Sequence, residues 1–344
     1  MKIGMIAPVW YPIPPPGYGG IELVVNLLVE GLKERGHDVT LFASGDSKTE
    51  AKLVSSCDVA PSAEIGQVYP DLLHALTAYV RAGDFDIIHD HSGMIGPALG
   101  AFSKTPVLHT LHGPATPEAK KLYGMLNFGI YFNAISEFQR KKFGDLNFVD
   151  TIYNAIDLKE YVFREEKEDY LLFLGRMNPE KGAHLAVEIA KRLGRKLLLV
   201  TKMVEPAEKQ YFETEVKPRL TSNVEIMGEV DPATKAELFA KAYCTLVPIQ
   251  WPEPFGLVLI ESLATGTPVI AMRNGAVPEI VEDGLNGFIV DTIDEMVASV
   301  DKVADISPRY CRASVEKRFG TERMLENYEE VYQKILERQG EKAA

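Results

Sequence analysis

Short unbroken apolar runs alternate along this chain with stretches whose apolar residues recur every three or four positions. Runs of the first kind suit strands buried on both faces, and stretches of the second kind suit helices that bury one side. The start of the chain is the clearest example. Residues 3–7 predict a strand, and residues 20–35 predict a helix with Ile21, Val24, Val25, Leu28 and Leu32 along one side. Gly36 ends that helix, and residues 39–43 predict the next strand. Further strands are predicted over 87–89, 107–111, 133–135 and 151–153.

After the charged segment 164–169 the pattern restarts, with a strand over 170–174, a helix over 184–193 and a strand over 196–200. Apolar runs at 224–227, 244–248, 269–271 and 288–290 predict the rest of a second sheet. The restart implies an α/β protein of two Rossmann-like, doubly wound domains facing across a cleft. Their spans would be 1–163 and 164–320, with ligands bound beyond the carboxyl ends of the strands. A last helix carries Met324, Tyr328, Val331, Tyr332 and Ile335 as one apolar stripe, so segment 321–344 is expected to pack back on the N-terminal domain.

Bulk properties narrow the function. The 344 residues carry a formal net charge of -12, and neither half is basic, which argues against a nucleic-acid partner. The densest cationic run, Arg140, Lys141 and Lys142, reads either as a solvated helix face or as a contact for anionic lipid, and the first reading is preferred. Cys57, Cys244 and Cys311 lie far apart with no CxxC pair, so neither a disulfide framework nor a cysteine zinc site is expected. The apolar stretch 3–9 is too brief for a signal-peptide core or a membrane span, and a cytoplasmic location is expected.

Candidate chemistry sits after strands. Pro14, Pro15 and Pro16 followed by Gly17, Tyr18, Gly19 and Gly20 form a loop before the first helix, where a phosphate could approach free backbone N–H groups. The same loop could be a plain flexible turn. It is no dinucleotide fingerprint, because Glu22 stands where GxGxxG counted from Gly17 needs its last glycine, and no GxxxxGK[ST] pattern appears. In LLFLGRMNPEKG, Arg176 and Lys181 follow a strand, a pairing able to hold a diphosphate. In WPEPFGLVLIESLATGTPVIA, Glu253 and Glu261 stand eight positions apart in strongly apolar surroundings. If Phe255, Gly256 and Leu257 open a helix, their N–H groups would face an anion, and Glu261, about two turns inward, could accept bonds from ribose hydroxyls.

These segments together resemble retaining glycosyltransferases of family 4, which have the GT-B architecture. Glu253 and Glu261 match that family's glutamate pair, GRMNPEKG its Arg and Lys loop, Tyr153 to Asp157 its interdomain segment, and GAVPEIVEDGLNGFIV the stretch that follows the pair. The resemblance implies that Arg176 and Lys181 bind the donor diphosphate with help from backbone at Leu257 and Val258, and that Glu261 holds the ribose. It further implies that Glu253 faces the donor sugar, that Gly228, Glu229 and Val230 border the base, and that Gly19 and Gly20 close over the donor. His112 would touch the transferred sugar, so His112, Glu253, Arg176 and Lys181 form the expected catalytic set. Phe255 and Gly256 join the donor site. Tyr18, Glu22 and His91 are placed on the acceptor side, with a structural histidine equally open for His91.

A metal cluster of His89, His91, His109 and His112 can be imagined, but no metal and no cofactor is expected, and His109 is read as packed in its strand. The chain departs from many relatives at Thr201, Lys202 and Met203, where a glycine is common, and in this it looks like a subgroup that includes an avilamycin-pathway enzyme. The expected partners are a nucleotide-sugar donor, UDP-glucose before GDP-mannose, and a small-molecule, saccharide or lipid acceptor. Two rivals are a UDP-sugar 2-epimerase of related build and a non-catalytic sugar-nucleotide binder.

Overall fold

In the computed structural model, which describes residues 1–343, the polypeptide forms two units. One is Met1–Ala155 together with the C-terminal helix, and the other is Ile156–Gly320.

The first unit runs β1 (Lys2–Ile6), α1 (Gly20–Glu34), β2 (Asp38–Phe42), β3 (Lys52–Val54), α2 (Val68–Tyr79), β4 (Ile87–Asp90), α3 (Ile95–Gly100), β5 (Val107–Leu111), α4 (Pro117–Leu126), β6 (Tyr131–Ala134), α5 (Glu137–Phe143) and β7 (Phe148–Thr151). The seven strands pair in parallel in the order β3-β2-β1-β4-β5-β6-β7. Every residue of β4, β5 and β6 is buried, as expected where helices cover both faces and no polar alternation survives.

The second unit runs β8 (Tyr170–Arg176), α6 (Ala183–Leu193), β9 (Lys196–Lys202), α7 (Pro206–Tyr211), β10 (Val224–Met227), α8 (Pro232–Lys241), β11 (Cys244–Val247), α9 (Leu257–Ala264), β12 (Val269–Met272), α10 (Val277–Ile280), β13 (Gly287–Val290), α11 (Ile293–Val300) and α12 (Pro308–Arg318). Its six strands are parallel in the order β10-β9-β8-β11-β12-β13. Alternate strand residues serve opposite faces. Leu171, Phe173, Leu197 and Leu199 pack with Val187 and Ala190 of α6, whereas Tyr170, Leu172, Leu198 and Val200 pack with Phe239 of α8.

The last helix, α13 (Thr321–Ala343), belongs with the first unit despite its place in sequence. Leu325 lies against Gly31 of α1. The Tyr328 hydroxyl accepts from Asn133 Nδ2 at 3.1 Å and bonds Thr110 Oγ1 at 3.2 Å, and the Tyr332 hydroxyl bonds His89 Nδ1 at 2.7 Å. At its margin Glu329 takes Arg35 at 2.6 Å and His37 at 2.8 Å.

Several elements differ from expectation. The strand predicted at 133–135 begins two residues earlier, at Tyr131, and the one predicted at 151–153 is β7, ending at Thr151. Asp150 breaks the apolar run of β7, a half-buried edge strand, so only its tail reads as apolar. Ile152 N–H still bonds Ala134 O at 2.9 Å before the chain leaves the sheet. The three residues of β3 are too few to carry a pattern, and α2 leaves Tyr69, Leu73 and Leu76 exposed, which blurs its amphipathic contrast. Strand β9 runs on to Lys202, because its ladder with β8 continues through Arg176. All three cysteines are free, and among the described residues no helix is long and apolar enough to cross a membrane.

Candidate active site

Polar side chains collect at the carboxyl edge of each sheet, and each collection is built within its own unit. In the second unit, β8 ends on Arg176, in register with Lys202 of β9. The chain then turns through Pro179–Lys181, where Asn178 Oδ1 accepts the Lys181 N–H at 3.1 Å and holds the turn. This aims the Lys181 ammonium at Glu253, with which it makes a close ion pair, and sets it 5.3 Å from the centre of the Trp251 ring. Trp251 Nε1 donates to the same Glu253 oxygen at 3.0 Å. The Glu253 backbone is also held, since its carbonyl accepts from Ala276 N at 2.9 Å. Lys202 is buried and paired with Glu205, so the third cation of this edge is engaged locally.

Gly256 caps α9 and Leu257 opens it, so the N–H groups of Leu257 and Val258 lie in the first turn, where no intrahelical acceptor exists. Glu261 is the fifth residue of this helix, a little over one turn inward rather than two. It is buried, and its Oε1 accepts from Tyr161 at 2.8 Å and from Lys235 Nζ at 2.7 Å. Its Oε2 takes part in no hydrogen bond found among the described residues. Val230, beyond β10, is partly buried on the same apolar cluster as Leu174 and Val258.

In the first unit, Gly19, at φ 152°, precedes Gly20, the first residue of α1. Glu22 follows and is buried, with Oε2 close above Gly19, and burial pushes its carboxyl up to about 7 against one backbone hydrogen bond. Tyr18 is exposed and meets Tyr11 edge to face at 6.2 Å. Strand β4 ends on His89 and Asp90 and is followed by His91 and Ser92, all four buried. Asp90 accepts from the Tyr79 hydroxyl at 2.6 Å and from Ser92 N at 2.7 Å. His91 Nδ1 lies 2.9 Å from His112 Nε2, and burial pulls both imidazoles below their ordinary range, His112 to about 3 with help from His109.

His109 is buried in β5, with Nδ1 3.7 Å from Asp90. Among the described residues no three His, Cys, Asp or Glu are grouped to hold a metal ion.

The expected residues thus fall into two sets. Arg176, Lys181, Val230, Glu253, Phe255, Gly256, Leu257, Val258 and Glu261 lie in the second unit, and Tyr18, Gly19, Gly20, Glu22, His91 and His112 lie in the first. Within the second, the structure joins Lys181 to Glu253, and within the first, His91 to His112. Sequence reading missed Lys235, Tyr161 and Trp251. It also missed Asp71, beside Gly93, whose carboxyl burial and the charge of Asp90 push up to about 6. Only the run HDHS at the end of β4 offered a sequence signal, for Asp90.

Two parallel Rossmann-like sheets, each with its polar edge at the strand ends, are the two halves of a GT-B glycosyltransferase. The model for Glycosyltransferase Family 4 matches residues 18–160, and that for Glycosyl transferases group 1 matches residues 156–317. A phosphatidyl-myo-inositol mannosyltransferase of Mycolicibacterium smegmatis is 26% identical over 334 residues, 87% of this chain and 84% of its own length. AviGT4, a glycosyltransferase involved in avilamycin A biosynthesis, is 26% identical with a TM-score of 0.73, covering 97% of this chain and 98% of its own. Anabaena HepE, solved in complex with UDP and glucose, shares the fold at 20% identity and a TM-score of 0.78, over 97% of this chain and 100% of its own. The chain is an enzyme of the family 4-like glycosyltransferases with the GT-B fold.

Proposed function

We propose that the protein moves a hexose from a nucleotide diphosphate sugar to a hydroxyl acceptor with retention of the anomeric configuration and without a required metal ion. UDP-glucose is the first choice of donor and GDP-mannose the second. The observation that carries the reading is the charge arrangement at the second sheet's edge, where Lys181 pairs with Glu253 while Glu261 lies buried in the first turns of α9. A diphosphate would engage Arg176, Lys181 and the N–H groups of Leu257 and Val258. It would draw Lys181 away from Glu253 and release that carboxylate to sugar hydroxyls. Tyr161 and Lys235 steady Glu261 through Oε1, which leaves Oε2 for the ribose. Leu174, Val230 and Val258 would offer the base an apolar flank.

In the reaction the bond from the anomeric carbon to the phosphate oxygen breaks, and the acceptor oxygen bonds the same face of that carbon. The departing phosphate oxygen takes the acceptor's proton, while Arg176 and Lys181 stabilise its charge. His112 is assigned to the transferred sugar. Tyr18, Glu22 and Asp71 are assigned to the acceptor. The complex of HepE with UDP and glucose favours a uridine donor, and the mycobacterial phosphatidyl-myo-inositol mannosyltransferase keeps a mannose donor in view together with lipid acceptors.

A donor panel in EDTA, with and without an acceptor library, tests this by free nucleoside diphosphate. UDP-glucose should give the fastest release, and Lys181→Ala should slow it by more than about tenfold, a loss of about 1.4 kcal/mol in transition-state stabilisation. Sugar inverted at C2 would establish the epimerase, and UDP binding with no turnover of any donor would establish the non-catalytic binder. Activity lost in EDTA and restored by a divalent ion would remove the metal-free part.

A further inference from the structure

The three imidazoles at the edge of the first sheet form a supported row, in which His89 is tilted at 46° against His91 and His91 is stacked on His112. His89 is fixed at both nitrogens, by the Tyr332 hydroxyl at 2.7 Å and by Thr110 Oγ1 at 2.8 Å. Its ring centre lies 4.0 Å from that of His91, which in turn lies 5.2 Å from that of His112 at an interplanar angle of 29°. His91 is therefore held on one side by a ring that α13 anchors, and it passes that order on to His112 through the bond of 2.9 Å between Nδ1 and Nε2.

One proton serves that bond, and its placement has two solutions. If His112 donates from Nε2, then His91 carries its own proton on Nε2, and that atom is buried with no hydrogen-bond partner among the described residues. A buried N–H without an acceptor is among the rarest arrangements in folded proteins. If His91 donates from Nδ1, its Nε2 is a bare lone pair, the cheaper group to leave unmatched. The second solution leaves His112 with its proton on Nδ1. We infer that His91 is a positioning residue that fixes His112 in the Nδ1–H tautomer, so that this ring donates a hydrogen bond from Nδ1 to an oxygen of the transferred sugar. The sugar contact rests on the function proposed above, whereas the tautomer rests on the geometry alone. His91 thereby leaves the acceptor side, where sequence had placed it, and acts through His112.

The test uses the full chain labelled with 15N-histidine, read at neutral pH by two-bond 1H–15N correlation, with the His112 signals identified by their loss in His112→Gln. The wild type should show His112 protonated at Nδ1 and bare at Nε2. In His91→Phe, which keeps a ring but has no donor, His112 Nε2 should lose the 15N shift of an accepted hydrogen bond and read as a free lone pair, and kcat should fall by at least about tenfold while the donor KM stays within about twofold. His91→Asn, whose carboxamide N–H can stand where Nδ1–H stood, should restore both the bonded Nε2 signal and most of kcat. A wild-type His112 protonated at Nε2 would overturn the proposal even if His91→Phe failed to fold. An Nε2 signal unmoved in His91→Phe would overturn it as well. Because the spectra need no turnover, they decide this point even for a protein that transferred no sugar.

Discussion

Glu22 occupies the first turn of α1, where the helix dipole favours a charged carboxylate, yet desolvation outweighs that attraction and its carboxyl is pushed from 4.5 up to about 7. The folded chain therefore holds a proton that the unfolded chain gives up at lower pH. Its contribution to stability is complete below the unfolded value and is lost as pH rises through the folded one. Replacing Glu22 by Gln, which stays neutral, should leave stability nearly unchanged at pH 4 and give an advantage that grows by about 3 kcal/mol towards pH 8. Urea unfolding of the two proteins across that range measures the difference, and a constant offset would show that Glu22 is ionised in the folded state. At this scale the sequence exposed residues whose neighbours in the chain carry the pattern. Glu253 and Glu261 stood out by their spacing within an apolar strip, and Arg176 and Lys181 by their place after a strand. Lys235, Tyr161 and Asp71 gave no such signal, because each meets its partner only after the chain has crossed the sheet. Tyr161 and Glu261, for example, are 100 residues apart.

The turn between β12 and α10 carries the clearest dependence of the site on backbone. Gly275 has a φ of +59°, and a Cβ there would stand 2.1 Å from Glu253 O and 2.4 Å from Glu253 N. Gly275→Ala should therefore push the Trp251–Glu253 segment out of place, since backbone cannot yield as a side-chain tip can. Donor turnover is expected to fall by roughly tenfold or more, because an ångström of misplacement is enough for such a loss. Steady-state kinetics at several donor concentrations would show it, and wild-type constants would mean that Glu253 has no fixed place in the reaction. Among the elements, long buried strands and amphipathic helices were legible from periodicity, as β1, α1, β5, β8 and α6 illustrate. Strand β7 was misplaced because Asp150 interrupts it, and β3 and α2 were missed because one is short and the other keeps apolar residues in solvent.

For the whole molecule, the restart of the apolar pattern after the charged segment 164–169 announced two α/β units, and the structure divides the chain at Ala155 and again at Gly320. The stripe on α13 showed that this helix must bury a face. Its partners in the first unit, from Leu325 against Gly31 to Tyr332 on His89, became visible only in three dimensions. Two family models that meet near residue 160 agree with this division, and they leave the stereochemistry of transfer to be measured. In the proposed reaction the departing phosphate oxygen, steadied by Arg176 and Lys181, accepts the acceptor's proton on the face it leaves. An inverting route would instead need a general base on the opposite face. Proton NMR of the first-formed sugar product from α-linked UDP-glucose, recorded before mutarotation, reads the outcome from the anomeric coupling, with water as acceptor if no other is known. Retention gives the α-anomer, and a first-formed β-anomer would rule out the same-face route.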